Sequence, residues 1–129
     1  MRTLITGAAG FLGQGLVGAF EQGETCVLRL MDVRPFASRH EVVVGSVADL
    51  ACVRAAMRGV DAMVLAHMAP RSPDAYAEPP VCFDINVKGT ANLFFAAQEG
   101  LRFLTGNQRF FGRMFLLGFR RMFGGRDID

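Results

Sequence analysis

The chain has 129 residues, of which 51% are hydrophobic and 20% are charged. This length suits one domain with a substantial core, and the composition excludes a disordered chain and a disulfide-stapled miniprotein. The net charge of +2 is too small to indicate a nucleic-acid partner, and no apolar run is long enough to predict a membrane span.

Apolar runs and helical periods alternate along the first hundred residues. We predict strands over 2–6, 25–31, 42–44 and 61–65. We predict helices over 11–22, 49–58 and 81–98, with Gly23 and Gly100 as stops. Residues 33–40 and the proline-rich stretch 69–80 are predicted loops. Strands that alternate with helices at this spacing predict βαβ units and an α/β fold with a parallel sheet.

A glycine-rich turn follows the first predicted strand and opens the first predicted helix. It reads Thr6-Gly7-Ala8-Ala9-Gly10-Phe11-Leu12-Gly13. In such turns the glycines allow a sharp reversal, a close approach to a pyrophosphate, and tight packing of helix on sheet. Anions are favoured at the helix N-terminus that follows. No Lys follows as Gly-Lys-Ser/Thr, so a nucleoside-triphosphate P-loop is disfavoured.

An acidic residue ends the second predicted strand. A carboxylate at Asp32 can accept both ribose hydroxyls of an adenosine group, and it would repel a 2′-phosphate, which favours NAD over NADP. Arg34 weighs against that preference, because a guanidinium can pair with a phosphate. The alternative is that Asp32 only caps a strand; with the glycine turn upstream, the cofactor interpretation is favoured.

Several further segments, in order and at the right spacing, resemble the extended short-chain dehydrogenase/reductases, in the NAD-dependent epimerase/dehydratase family. The Gly-x-x-Gly-x-x-Gly turn is one match, and Asn86-Val87-Lys88-Gly89-Thr90-Ala91-Asn92-Leu93 is another. Residues 45–49, 59–64 and 65–69 also match. The resemblance covers residues 1–102, and the matching segments are most similar in sequence to the uronate dehydrogenase and sugar epimerase branch.

The resemblance implies a Rossmann-type doubly wound parallel sheet and a site for NAD, with NADP less favoured. It implies that Ser46 and Val47 lie at the adenine, and that Leu65, Ala66 and His67 line the middle of the cofactor. The implied cofactor-binding residues are Gly7, Gly10, Phe11, Leu12, Gly13, Asp32, Arg34, Ser46, Val47, Leu65, Ala66, His67 and Asn86. Ser46 replaces the acid usual in the family, which implies weaker adenine binding.

The catalytic pair that the resemblance implies, Tyr-x-x-x-Lys, is absent from the sequence. The only tyrosine is Tyr76, with Pro at position 80, and the only lysine is Lys88. Oxidation of an alcohol by hydride transfer also needs a base that accepts the hydroxyl proton. We therefore assign no catalytic residue, although Thr105 could occupy the family's Ser/Thr position at the start of a fifth strand over 102–105.

The composition changes near residue 102. Residues 1–100 carry eight Lys+Arg against ten Asp+Glu, whereas 101–129 carry six Arg against two Asp and half of the twelve phenylalanines. We predict an NAD-binding half-domain over 1–102, truncated after about the fourth or fifth strand, and a Phe/Arg-rich tail over 103–129. Packing on the domain or on a second copy, disorder, and binding to a membrane surface are the alternatives for the tail, in that order.

Three hypotheses for function follow. The chain is the NAD-binding part of an enzyme that oxidises a sugar or sugar-acid hydroxyl, a non-catalytic dinucleotide-binding or assembly module, or a truncated remnant. We expect a homo-oligomer, because an unpaired sheet edge favours pairing. The odd number of well-separated cysteines, at Cys26, Cys52 and Cys82, together with the lack of a signal-peptide pattern, favours the cytoplasm and indicates neither a disulfide framework nor a zinc site.

Overall fold

A computed structural model describes residues 1–23, 26–72, 75–76 and 78–105 of the protein. Most of the predicted Phe/Arg-rich tail lies outside these residues, so its three alternatives and the boundary at residue 102 stay predictions. The side chain of Tyr76 also lies outside the description.

Four parallel strands form the main sheet. They are β1 (Arg2–Thr6), β2 (Val27–Asp32), β3 (Glu41–Val44) and β4 (Ala62–Leu65). Their spatial order is β3-β2-β1-β4. β1 lies in the middle, and its residues are almost fully buried because helices cover both faces of the sheet. The predicted α/β fold with a doubly wound parallel sheet is confirmed.

The helices follow the strands in turn. They are α1 (Phe11–Gln22), α2 (Leu50–Met57), α3 (Pro79–Cys82) and α4 (Gly89–Thr105), and a π-helical segment (Phe83–Lys88) joins α3 to α4 without a break. Asp49 begins α2 by accepting hydrogen bonds from the backbone N–H groups of Ala51 and Cys52 at 2.9 and 3.3 Å, as expected of an N-cap residue.

Two hydrophobic clusters lie on opposite faces of the sheet. Ile5 and Leu30 pack on the face that α1 covers, with Leu16, Val17 and Phe20 against them. Leu4 and Met31 pack on the other face with Val53 of α2 and Leu93 of α4. Side chains alternate between faces along a strand, so β1 supplies both clusters. α1 follows β1 and covers one face, whereas α2 and α4, which flank β4 in the chain, cover the other. The covered face therefore changes between the neighbouring strands β1 and β4.

The structure corrects several predicted boundaries. Cys26 precedes β2, and Thr25 lies outside the described residues. The predicted loop 69–80 contains a short antiparallel pair, β5 (Arg71–Ser72) and β6 (Ala75–Tyr76), and the start of α3.

The predicted stop at Gly100 and the predicted fifth strand at 102–105 are wrong, since α4 continues through both. Arg54 of α2 holds the carboxylate of Glu99 in two hydrogen bonds of 2.8 Å, which anchors α4 just before Gly100. α4 also buries Leu93 and Ala96 in the core beside α2, and this burial outweighs the helix penalty of one glycine.

Candidate functional site

The carboxyl ends of the four strands lie at one edge of the sheet. In the register of the sheet Thr6 is level with Met31 and with Leu65, and Asp32 is level with Val44. The segments that follow these strands therefore meet at the same edge. They contain most of the predicted site residues. In open parallel sheets, ligands bind at this edge, where the chain switches faces.

The glycine-rich turn lies at the centre of that edge and is built around backbone contacts. Gly7 has a φ of +67°, and a Cβ on it would lie 2.6 Å from the carbonyl oxygen of Ala66. A Cβ on Gly13 would contact the carbonyl oxygen of Gly7 and lie 2.7 Å from Cα of Ala8. Side chains at these positions would push the helix away from the strand, so the glycines are required for this close packing.

The N-terminus of α1 faces outward from this turn. Gly10 precedes the helix and accepts the N–H of Gln14 at 2.9 Å, but no side chain caps the helix. The side chains of Phe11 and Leu12 are 99% and 61% exposed. Uncapped N–H groups and the helix macrodipole make this end a site for an anion such as a phosphate group.

Asp32 connects the end of β2 to the glycine-rich turn. Its carboxylate oxygen Oδ2 accepts the backbone N–H of Ala9 at 3.0 Å, and Oδ1 accepts the backbone N–H of Arg34 at 3.0 Å. The residue is only 8% exposed. Asp32 thus holds the turn in place and keeps a negative charge beside it, a second function that its spacing in the sequence did not reveal.

Arg34 lies over the same carboxylate from the solvent side. Its Nε is 3.4 Å from Oδ1 of Asp32, and its side chain is 64% exposed. Because the Arg34 guanidinium is mostly in solvent, this long contact contributes little to stability. A positive charge and a negative charge therefore lie side by side at the end of β2.

The segment after β3 is held by its own hydrogen bonds. The hydroxyl of Ser46 accepts the N–H of Ala48 at 3.1 Å. The carbonyl of Val47 accepts Nδ2 of Asn92 at 3.0 Å, and the side chain of Val47 is buried against Gly89. Any contact that Val47 offers a ligand therefore comes from its main chain.

The segment after β4 contains Leu65, Ala66 and His67. The N–H of Ala66 donates to the carbonyl of Thr6 at 3.2 Å, and Leu65 packs partly buried against the core. His67 Nδ1 lies 2.7 Å from Oγ1 of Thr6, and Nε2 lies 3.2 Å from Oγ1 of Thr90. Burial lowers the pKa of His67 below its usual value.

Asn86 lies in the π-helical segment. Its Oδ1 accepts the backbone N–H of Ala69 at 2.8 Å, so it fixes the loop after β4 to the helix. π-helical turns occur often at functional sites. The sequence analysis assigned no role to Thr6, Thr90 or Asn92. All three are polar residues within motifs that it singled out, and this polarity could have marked them as site residues.

Two further findings concern the described residues only. No group of three or more His, Cys, Asp or Glu is placed to hold a metal ion. No helix in this part of the chain is long and apolar enough to cross a bilayer.

Comparison with known families decides which family this site belongs to. The family model for the NAD dependent epimerase/dehydratase family matches residues 3–111. The chain belongs to this family. The match runs past residue 102, where the resemblance in the sequence was expected to end. The predicted family resemblance is confirmed.

Solved structures agree with the assignment. A short-chain dehydrogenase/reductase superfamily protein from Agrobacterium tumefaciens with bound NAD is 37% identical, with a TM-score of 0.66 over 78% of this chain and 30% of that one. Uronate dehydrogenase from Agrobacterium tumefaciens is 28% identical, with a TM-score of 0.67 over 78% of this chain and 37% of that one.

A third similar structure is DesIV, a dTDP-glucose 4,6-dehydratase from Streptomyces venezuelae with NAD and TYD bound. It is 28% identical, with a TM-score of 0.62 over 78% of this chain and 36% of that one. The chain thus spans about a third of the length of these relatives. Its fold corresponds to part of each larger chain.

Proposed function

We propose that this chain is the NAD-binding portion of an enzyme that oxidises a hydroxyl group of a sugar or sugar acid. The observation that carries the proposal is the contact between Asp32 and the glycine-rich turn, because it joins a ribose acceptor to a phosphate site. Similarity to uronate dehydrogenase and to an NAD-bound superfamily protein supports the cofactor and the class of substrate.

The residues present fit a dinucleotide. Gly7 and Gly13 let the turn pack closely against the loop after β4 and the start of α1, and the uncapped start of α1 offers N–H groups to the pyrophosphate. Asp32 would accept the ribose hydroxyls, and Ser46 and the main chain of Val47 would lie toward the adenine. Bound NAD supplies the hydride acceptor.

Under this proposal the chain binds the cofactor, and none of its residues is assigned to proton transfer. Its single tyrosine and single lysine do not form Tyr-x-x-x-Lys. A second candidate function is a dinucleotide-binding assembly module. It is favoured by the exposed apolar residues Val81, Phe83 and Val87 on the long helix, which consists of α3, the π-helical segment and α4. Turnover of a sugar by the purified chain would exclude that candidate.

We also propose that the protein is a cytoplasmic homo-oligomer. The odd number of cysteines supports a reducing compartment. The same exposed apolar side chains, with the unpaired outer edge of β4 in the described sheet, support self-association.

Calorimetric titration with NAD and then NADP tests the cofactor proposal. We expect NAD to bind more tightly, because the buried carboxylate of Asp32 repels a 2′-phosphate. Asp32→Ala removes a charged acceptor, so NAD affinity should fall roughly tenfold to hundredfold.

Asp61→Asn is a matched control. Asp61 lies at the opposite edge of the sheet, where Oδ2 accepts the N–H of Arg2 at 2.7 Å, and an amide oxygen can do the same. NAD affinity should be unchanged in this variant. Equal affinity of the Asp32→Ala variant and the wild type, or no NAD binding by the wild type, would refute the proposal.

A further inference from the structure

His67 lies where the sheet switches from one covered face to the other. It lies two residues past the end of β4, beside the carboxyl ends of the neighbouring strands β1 and β4. α1 covers one face of the sheet, and α4 covers the other. A ligand that extends beyond the glycine-rich turn therefore passes this residue.

The imidazole of His67 bridges two hydroxyl groups on different elements. Thr6 ends β1, and its Oγ1 lies 2.7 Å from Nδ1; Thr90 belongs to α4, and its Oγ1 lies 3.2 Å from Nε2. A neutral imidazole has one donor and one acceptor nitrogen, and a hydroxyl can serve as either. Thr6 Oγ1 also lies 3.5 Å from the carbonyl oxygen of Val64. When the hydroxyl donates there, it accepts from Nδ1–H of His67, and Nε2 then accepts from Thr90. Burial lowers the pKa of His67, which favours this neutral form.

The backbone of the same segment packs against the glycine-rich turn. A Cβ on Gly7 would lie 2.6 Å from the backbone nitrogen of His67, so the two segments touch. The far end of the loop is also fixed, because Asn86 accepts the N–H of Ala69. A shift of the imidazole would therefore move the loop and the turn together.

We propose that His67 is a positioning residue for the dinucleotide, which sets the spacing between the glycine-rich turn, the loop after β4 and the long helix through Thr6 and Thr90. The proposal rests on the proposed binding of NAD. Both ring nitrogens are engaged by the protein, so His67 acts through the segments that it connects and not through the reacting atoms.

The test compares Thr90→Val with Thr90→Ser. Valine has the shape of threonine without the hydroxyl, whereas serine keeps it. One lost hydrogen bond predicts NAD affinity about threefold to tenfold weaker for Thr90→Val, and Thr90→Ser should stay within about twofold of the wild type. AMP lacks the nicotinamide half that would pass His67, so its affinity should change little in either variant.

Two controls separate positioning from general damage. Thr3 is a buried threonine on β1 whose hydroxyl has no hydrogen-bond partner among the described residues, so Thr3→Val should leave NAD affinity unchanged. In a His67→Leu background, Thr90→Val should cause no further loss, because the coupling runs through the imidazole.

Three results would overturn the proposal while leaving NAD binding by the wild type intact. They are unchanged NAD affinity in Thr90→Val, an equal loss for NAD and AMP, and a full further loss in the His67→Leu background. Failure of the wild type to bind NAD would instead refute the proposed function, and with it this assignment.

Discussion

Thr3 and Thr6 are the same residue type on the same buried strand, yet their hydroxyls differ in hydrogen bonding. The hydroxyl of Thr6 bonds His67, while that of Thr3 is buried without a partner in the described part of the chain. A buried hydroxyl that makes no hydrogen bond costs free energy of folding. The polar group at position 6 is therefore explained by the site at the end of the strand, whereas nothing in the structure explains the hydroxyl at position 3.

The glycines of α1 provide the sharpest prediction at the scale of single residues. A Cβ at position 13 would meet the backbone of Gly7 and Ala8, whereas a Cβ at position 15 would meet no atom within 4 Å. Gly13→Ala should lower the free energy of unfolding by about 1–3 kcal/mol through overpacking. Gly15→Ala should raise it by about 1 kcal/mol, because alanine favours the helix.

Urea denaturation of the two variants beside the wild type checks this contrast. The pair is matched, since both substitutions add one methyl group to the same helix. Similar stability of the two variants would mean that α1 does not approach the turn as closely as described. NAD titration of Gly13→Ala should also show weaker binding, because the displaced helix carries the N–H groups of the phosphate site.

Local spacing explains which residues could be predicted from the sequence. Gly7, Gly10 and Gly13 stand in one short turn, and Asp32 follows a recognisable strand, so their positions follow from local patterns. The bridge from Thr6 through His67 to Thr90 joins residues 61 and 23 positions apart. Such contacts depend on strand order and helix placement, which the sequence pattern does not specify at the level of single side chains.

Element boundaries show the same division between local and tertiary effects. The bounds of β1 and α1 were predicted correctly because a glycine follows each of them. Gly100 was a poor guide because α4 packs on α2 through Leu93 and Ala96, with the Arg54–Glu99 pair beyond them. The pair also lowers the pKa of Glu99. The π-helical segment was not predicted, because its apolar residues show no spacing that distinguishes it from an α-helix.

The start of α2 gives a prediction at the scale of one element. Asp49 accepts two backbone N–H groups of the first turn, and its charge complements the helix dipole. Asp49→Ala should lower the free energy of unfolding by about 1 kcal/mol. Asp49→Asn keeps the capping oxygen, so it should retain most of the stability. Denaturation curves that place both variants together would show that the cap does not stabilise the helix.

The loss from Asp49→Ala should be largest in α2 itself, because only Val53 and Ala56 of this helix are buried, whereas β1 is buried along most of its length. Amide exchange should therefore quicken first in α2 and leave β1 protected. Segments with fewer buried contacts open at lower free energy than the central strand of a sheet.

At the scale of the whole molecule, the apolar surface of the long helix bears on assembly. Val81, Phe83 and Val87 are 42%, 62% and 51% exposed. Phe83 and Val87 are four residues apart and therefore neighbours on the helix surface, and exposed apolar patches mark contact sites. We predict that two copies associate through this surface, which would give twice the 14.0 kDa mass of one chain.

Light scattering across a range of protein concentration measures that mass, and charge placed on the surface tests its location. Phe83→Glu should convert the dimer to a monomer, because a buried unpaired carboxylate is costly at an interface. Val27→Glu is the matched control, since Val27 is 60% exposed at the amino end of β2. A monomeric wild type would contradict self-association. A Phe83→Glu variant that stays dimeric would show that the interface lies elsewhere. The unpaired edge of β4 would then be the next surface to test, because an open strand offers backbone groups to a second copy.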